Sequence, residues 1–417
     1  MSGYALAIDL GTTTLAASLV DLNGRRRLAM AGSRNPQSAF GADVVSRLDA
    51  AVHSEHALTE MASLIRDELW RLSEEVCAAA GISRHEIAAT SIAGNPAMQH
   101  ILAGWPVRSL AYPPFRPLQT GGVRLASSDL GWSGNEPVYL FPMPGGFVGG
   151  DTVAFLYGQC SPCSQLHDPA LYLDMGTNGE MALTAGDTIW ATSAAAGPAF
   201  EGGNLTCGMA ALPGAVSSVR LVDSRIKVEV IGNQPPAGLC GSAAIETVDL
   251  LLNEGLLEPS GRLKSSTEIA SNLATRITEH NGENLFVIHR DARSLICLSQ
   301  GDIRQIQLAK SAIRAGMEVM FERSCIHGEA LKSVILTGSF GAVLQPQWLK
   351  SIGVFDESMI HSTRFTPEGA LSGAEKALLA GDDFRSVEQL ARRFRVVPLS
   401  GTPLFEEHFM RHMDFPR

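Results

Sequence analysis

The chain has 417 residues, 45% of them hydrophobic and 18% charged, with 41 glycines and a formal charge of −10. That length exceeds what one hydrophobic core usually serves, so two domains or a deeply cleft pair of lobes is expected. The acidic balance argues against a nucleic-acid partner, and no apolar run approaches a membrane span. The N-terminus has no basic segment followed by an apolar one, and seven Cys, an odd number over a long chain, make no disulfide framework. A reducing cytoplasm is the expected compartment, with neither nucleic acid nor membrane as partner.

In chain order, "ALAIDL" from Ala5 reads as a strand, "GTTT" as a tight turn, and "LAASLVDL" as a second strand. The Asn23-Gly24 turn then leads to a third strand, "RRRLAMAG". Apolar residues at helical spacing run from Ala57 to a Gly81 C-cap. "EIAATSIAG" is a strand ending in Gly94, and a helix starts after Asn95. Residues 105 to about 138 are rich in Pro and Gly and read as an insertion with little helix. "PVYLFPMPGGFVGGDTVAFLYGQC" is strand, glycine turn, helix.

The second half repeats the theme. "ALYLDMG", "GEMALTAG" and "TIWATSA" are three short strands, and "SSVRLVDSRIKVEVIG" is a hairpin. "GSAAIETVDLLLNEG" is a helix closed by Gly255, and a long helix follows with Asp302 in its first turn, where it suits the dipole. "SVILTGSFG" runs from a strand into a glycine turn.

The pattern apolar strand, Asp, Gly, Thr therefore occurs twice, at "AIDLGTTT" and "YLDMGTNG". Similarity at so long a period points to a duplicated fold, two lobes facing each other across a cleft. A turn of this kind suits a polyphosphate. Successive backbone N–H groups form an anion nest, and Gly11 and Gly176 allow close approach. Thr12, Thr13 and Thr177 add hydroxyl donors. Asp9 and Asp174 would repel a triphosphate unless Mg²⁺ sits between them, and Mg²⁺ favours one or two carboxylates with phosphate oxygens. No P-loop is present in the sequence. One D-G-T alone is an ordinary hairpin turn; two in matching strand contexts favour phosphate binding. A third glycine turn, Gly338 to Gly341, would let backbone lie against a nucleoside, through Gly338, Phe340 and Gly341.

The order of these motifs resembles the actin-like ATPase superfamily. Within it the chain is similar to the reductive activators of corrinoid proteins. That resemblance is carried by "AIDLGTTT", "NPQSAFGADVVSRL", "GNPAMQHILAG", "VGGDTVA", "LDMGTNGE", "AAAGPAFEGGN", "GLCGSAAIETVDLL", "QGDIRQIQLAKSAIRAG" and "LTGSFGAVL". It implies an α/β, two-lobed actin-like ATPase built of duplicated ribonuclease H-like domains with a nucleotide cleft. The first lobe would cover residues 1–165 and the second 166–417, whose C-terminal helices have the option of returning to the first. ATP and Mg²⁺ are the implied cofactors, with Asp9 and Asp174 as metal ligands. Asn178 would join Gly11, Thr12, Thr13, Gly176 and Thr177 at the phosphates. The implied function is ATP-driven return of a corrinoid protein's cobalt from Co(II) to Co(I).

The chain also departs from that family. Many members carry an iron–sulfur domain, whereas here the first cysteine, Cys77, lies in a helix. No iron–sulfur cluster is therefore expected, and electrons are expected from a separate low-potential donor. "CSPC", Cys160 to Cys163, reads either as a redox or zinc half-site or as two chance thiols at a helix end. Ser339 stands where relatives usually have a second Gly.

Other polar residues carry two readings each. Asp151 in "VGGD" starts a helix and reads as an N-cap; the resemblance implies instead a catalytic role beside Asp9 and Asp174, because its glycine turn after a strand is similar to the place where superfamily members orient the attacking water. Asn95 has the same choice. Glu180 reads as a strand residue and His100 as surface or core. Asp302, Arg304 and Lys310 lie on a helix that either approaches the nucleotide base or carries solvated charges. "AAAGPAFEGGN" packs backbone to backbone or offers a surface to a partner, the latter favoured by the resemblance. Against the corrinoid activator stand a small-molecule kinase and a nonenzymatic nucleotide-gated clamp, and a homodimer remains open.

Overall fold

The computed structural model describes residues 3–159, 168–338 and 344–416. The chain begins with β1 (Tyr4–Leu10), β2 (Thr14–Asp21), β3 (Arg26–Arg34), α1 (Val44–His53), α2 (Glu55–Ala80), β4 (Ile87–Gly94) and α3 (Pro96–Ala103). It continues with α4 (Arg108–Ala111), β5 (Val123–Ala126), β6 (Pro137–Leu140) and α5 (Gly150–Gln159). The next elements are β7 (Ala170–Met175), β8 (Gly179–Ala185), β9 (Thr188–Ala194), β10 (Ala215–Val222), β11 (Arg225–Val230), β12 (Gly238–Leu239) and α6 (Gly241–Asn253). After them come β13 (Ile277–His280), β14 (Glu283–Arg290), β15 (Leu295–Ser299), α7 (Gln300–Ser324) and β16 (Ser333–Thr337). The described chain closes with α8 (Pro346–Ser351), α9 (Glu357–Ile360), β17 (Thr363–Phe365), α10 (Gly369–Ala380), α11 (Arg385–Ala391), β18 (Phe394–Val396) and α12 (Pro403–Arg411).

Two six-stranded sheets run β3-β2-β1-β4-β6-β5 and β17-β16-β7-β8-β9-β18. The duplication is visible in their order. In the first, the antiparallel meander β1-β2-β3 has β4 parallel to β1 and β6 parallel to β4. In the second, β7-β8-β9 has β16 parallel to β7 and β17 parallel to β16. Strands β1 and β7 are buried on both faces, which is why each reads as an apolar run broken only by its Asp.

The chain divides into two compact units. The first holds residues 1–168, 184–191 and 368–396. Its core gathers Leu6, Ile8 and Leu10 of β1, Ile92 of β4 and the apolar stripe Met61, Ile65, Leu69, Leu72 and Val76 of α2. That stripe follows the 3–4 spacing of the sequence, and α2 is closed by Ser54 at its start and a left-handed Gly81 at its end. The 105–138 stretch is less detached than its composition suggests. Part of it forms β5, an edge strand antiparallel to β6, so Pro and Gly flank strand pairing instead of excluding it. Residues 368–396 fasten the same stretch: Glu388 accepts from the Gly122 N–H and the Tyr139 hydroxyl, both at 2.9 Å, and the Phe384 ring stacks on Tyr139.

The second unit holds residues 169–183, 192–367 and 397–417. Helix α7 runs through it, burying Ile303, Ile306, Ala309, Ile313, Met317 and Met320. It also holds two three-stranded sheets, β11-β10-β12 and β13-β14-β15. The second of these falls in residues 256–299, for which the sequence suggested no elements. Among the described residues no helix is long and apolar enough to cross a membrane.

Candidate functional site

In the first unit the turn after β1 is set by backbone crowding. A Cβ on Gly11 would lie 2.4 Å from the Thr14 carbonyl oxygen, so only glycine closes this turn. Asp9, half-buried, sits one residue before the end of β1, in register with Ala16 on β2 and Ala93 on β4. Two asparagines hold the turn from elsewhere in the unit. The Asn35 amide donates to the Gly11 carbonyl at 2.9 Å, and the Asn95 amide donates to the Thr12 hydroxyl at 2.8 Å. Asn95 also caps α3, its Oδ1 accepting from Met98 N at 3.0 Å. Capping and turn support are thus done by one side chain.

Asn35 opens the stretch "NPQSAFGADVVSRL", and the rest of that stretch serves to fix it. Gln37 donates its backbone N–H to Asn35 Oδ1 at 2.9 Å and its side-chain amide to the Met61 carbonyl at 3.0 Å. Arg47, 1% exposed, donates to the Gly41 carbonyl and to Gln37 Oε1. No sequence signal singled out Asn35, because its partner lies 24 residues away.

Asp151 reaches the same end of the sheet through the glycine pair before it. A Cβ on Gly149 would stand 2.6 Å from Asn95 Cα, so these two backbones are in contact. In the first turn of α5, Asp151 Oδ1 accepts from its neighbour's Thr152 N at 2.7 Å. Burial pushes the Asp151 carboxyl up to about 6, against hydrogen bonds from Thr152 that pull it down. A carboxylate held near neutrality is suited to taking a proton from water.

The second unit builds its turn differently. Asp174, half-buried, again precedes the last residue of its strand, in register with Thr337 on β16. A Cβ on Gly176 would meet nothing closer than 3.6 Å, so packing does not demand this glycine. The turn closes on itself, Gly176 N donating to the Asn178 carbonyl at 3.0 Å, and Gly197 N donates to the Thr177 carbonyl at 2.9 Å. The Thr177 hydroxyl donates to Glu201 in a short hydrogen bond. Glu201 belongs to the loop "AAAGPAFEGGN", which therefore packs against the phosphate-type turn. It also packs backbone to backbone on α6, where a Cβ on Gly241 would overlap the Phe200 carbonyl. Of the two readings of this loop, backbone-to-backbone packing is the one these contacts show. Gly338, at φ +126°, abuts Met175 and Asp174; a Cβ there would stand 2.7 Å from the Met175 carbonyl oxygen. Phe340, Gly341, Ser339, Cys160 and Cys163 lie outside the described residues.

The remaining candidates have local duties. Glu180 on β8 accepts from Ser193 at 3.4 Å. His100 is buried, sharing hydrogen bonds with the Pro106 carbonyl and the Leu118 N–H, and burial lowers its pKa. Asp302 is 3% exposed and accepts from Thr206 and Ser299 at the start of α7. Arg304 donates to the Ser260 carbonyl. The buried Lys310 ammonium donates to the His412 and Asp414 carbonyls, and burial lowers it to about 8. These three tie loops and the C-terminal segment to α7; Asp302 and Lys310 are buried and not solvated charges, whereas Arg304 is exposed.

Strand-end carboxylates, glycine turns and a repeated meander-plus-parallel-strand sheet define an actin-like ATPase fold. Residues 168–417 match the family model for the C-terminal ASKHA domain of RACo, and residues 4–160 match the model for the RACo middle region. The chain belongs to the RACo family, the reductive activators of corrinoid proteins. It is 30% identical over 421 residues to the corrinoid activation enzyme RamQ of Eubacterium limosum, covering 99% of this chain and 70% of that one. It is 24% identical over 383 residues to the [Co(II) methylated amine-specific corrinoid protein] reductase of Methanosarcina barkeri, covering 84% of this chain and 65% of that one. The solved structure of a reductive activator for corrinoid, iron–sulfur protein superposes with a TM-score of 0.86 at 29% identity, covering 99% of this chain and 66% of that one. The chain thus spans between 65% and 70% of the length of these relatives.

Proposed function

We propose that this chain is the ATPase part of a system that returns a corrinoid protein from Co(II) to Co(I). The observation that carries the reading is alignment over 99% of the chain with a named corrinoid activation enzyme. The donor set fits Mg²⁺-ATP chemically: the half-buried Asp9 stands with the Thr12 and Thr13 hydroxyls and the half-buried Asp174 with the Thr177 hydroxyl, hard oxygen ligands of the kind Mg²⁺ prefers. Asp9 and Asp174 would hold the metal. Thr12, Thr13, Gly176, Thr177, Asn178 and Gly338 would hold the nucleotide.

Bound Mg²⁺-ATP supplies the phosphoanhydride whose hydrolysis drives the cycle. Asn35 and Asn95 keep the first turn in its binding shape before nucleotide arrives, which lowers the ordering cost of binding. Asp151 accepts a proton from the attacking water at its carboxylate, which its raised pKa suits near neutral pH. Electrons come from a low-potential donor. ATP supplies none; it shifts the chain between states that bind the corrinoid protein differently, a coupling between two sites.

Two measurements test this. The visible spectrum of a cognate corrinoid protein, with donor present, should show Co(II) converting to Co(I) only when ATP is added. Reduction at the same rate without ATP, or ATP-dependent phosphorylation of a small metabolite at ordinary enzyme rates, would overturn the reading. Separately, Asp9→Asn and Asp174→Asn should each lower Mg²⁺-ATP turnover by about tenfold or more, roughly 1.4 kcal/mol at the transition state. Unchanged turnover in both would remove the metal assignment.

A further inference from the structure

Away from the two turns, the second unit brings Cys207 and Cys297 together, 90 residues apart in sequence, with their sulfurs 3.7 Å apart. Cys297 lies on β15 and is 4% exposed; Cys207 is half-buried on the loop that follows Glu201. Strand β15 is the edge of its sheet, and Cys207 lies along that edge. The Cys297 N–H points at the Cys207 sulfur at 3.4 Å, and the Cys207 sulfur approaches the Leu295 carbonyl at 3.6 Å. The loop is pinned on both sides of the thiol. Thr206 donates its N–H and hydroxyl to Asp302, at 2.7 and 3.0 Å, and the Leu239 N–H donates to the Cys207 carbonyl at 2.7 Å.

The two thiols are thus held in contact by the backbone around them, and not by chance mobility. Closing from this contact to a disulfide of about 2.05 Å shortens the sulfur–sulfur separation by less than about 2 Å. The pair is also asymmetric. The Cys297 thiol donates toward Cys207, which favours thiolate on the more accessible sulfur, while the nearby Asp302 carboxylate opposes it. Accessible attacker and buried second thiol is the arrangement a two-step oxidation needs.

We propose that Cys207 and Cys297 form a reversible dithiol–disulfide site for small-molecule disulfides of the glutathione type. The Cys207 thiolate attacks one sulfur of the small disulfide, forming a mixed disulfide and releasing one small thiolate. That thiolate takes the Cys297 proton. The Cys297 sulfur then attacks Cys207, forming the protein disulfide and releasing the second small thiolate, which is protonated by solvent. The protein gives up two electrons and, counting the one Cys207 loses to solvent on ionising, two protons, and one small disulfide becomes two thiols. The product staples the loop following Glu201 to β15. That same loop carries Glu201, which holds Thr177 of the second glycine turn. This inference is independent of the corrinoid reading.

The test uses the full chain, oxidised glutathione at neutral pH, alkylation of remaining thiols and peptide mapping, with the exposed Cys325 as internal control. At a dose that leaves most Cys325 free, a linked Cys207–Cys297 peptide should appear and vanish on treatment with dithiothreitol. In Cys297→Ser, Cys207 should instead retain glutathione; in Cys207→Ser, Cys297 should stay free. Cys207 still free when Cys325 is consumed would overturn the site. So would linkage confined to other cysteines, or a Cys297→Ser protein without glutathione on Cys207. The wild-type map stands by itself should either variant fold poorly.

Discussion

The two glycine turns share a sequence pattern and differ in what holds them. The first is a rigid fitting: Gly11 is crowded by the Thr14 carbonyl, and the turn is gripped by Asn35 and Asn95 from distant segments. The second is a looser one: Gly176 has room for a Cβ, and the turn is held by its own backbone and by Glu201 on a neighbouring loop. A repeated motif therefore does not imply a repeated reason for each residue. Gly11 is fixed by packing. Gly176 has no such packing reason; under the proposed nucleotide reading, glycine there would serve close approach of the phosphates.

The sharpest way to break this comparison is to add one methyl group to each turn. Gly11→Ala forces a Cβ against backbone and should cost about 2–4 kcal/mol of stability, on the scale of overpacking at a site that cannot relax. Gly176→Ala should cost less than about 1 kcal/mol and still weaken nucleotide binding. Urea unfolding and nucleotide titration of both variants would decide; equal stability losses would mean that the two turns are built alike.

Next in size is Asp151, which belongs to the first turn's neighbourhood. Asp151→Asn should lower ATP turnover by about 100-fold, the low end of general-base effects. It should also stabilise the fold. A carboxyl raised from 3.8 to about 6 binds its proton more tightly when folded, so folded stability falls as pH rises from about 4 to 6 and stays lower above that. Removing the charge should recover about 1–3 kcal/mol at pH 7 and flatten that part of the stability profile. A variant that keeps turnover and loses stability would reduce Asp151 to a helix-end residue.

The smallest effect separates the supports. Asn35→Ala leaves the Gly11 carbonyl without its donor in a buried setting and should cost about 1–2 kcal/mol. Glu201→Ala removes a half-buried acceptor and should cost under about 1 kcal/mol. Thermal unfolding of the pair checks the order, and a reversed order would contradict the rigid-versus-loose distinction.

Local pattern made much of this molecule legible in advance. The apolar runs of β1 and β7, the stripe and Gly81 cap of α2, the Asn23-Gly24 turn and the Asp302 first turn of α7 all depend on residues a few positions apart. Their spacing in sequence is their geometry in space. The repeat of D-x-G-T, and with it the duplicated sheet order, is likewise written in the chain. The sheet β13-β14-β15 was missed: β13 is four residues with one buried, so the Asn281-Gly282 pair that joins it to the eight-residue β14 lacks the flanking apolar alternation that marks a hairpin. What only the tertiary structure decided are contacts between residues far apart. Asn95 reaches Thr12 across 83 positions, Glu388 reaches Tyr139 across 249, and Lys310 binds the C-terminal segment across 102 to 104. An asparagine, a glutamate or a lysine reads as polar surface until packing places a carbonyl or hydroxyl beside it. Burial then makes that hydrogen bond obligatory, because an unpaired polar group in the interior is costly.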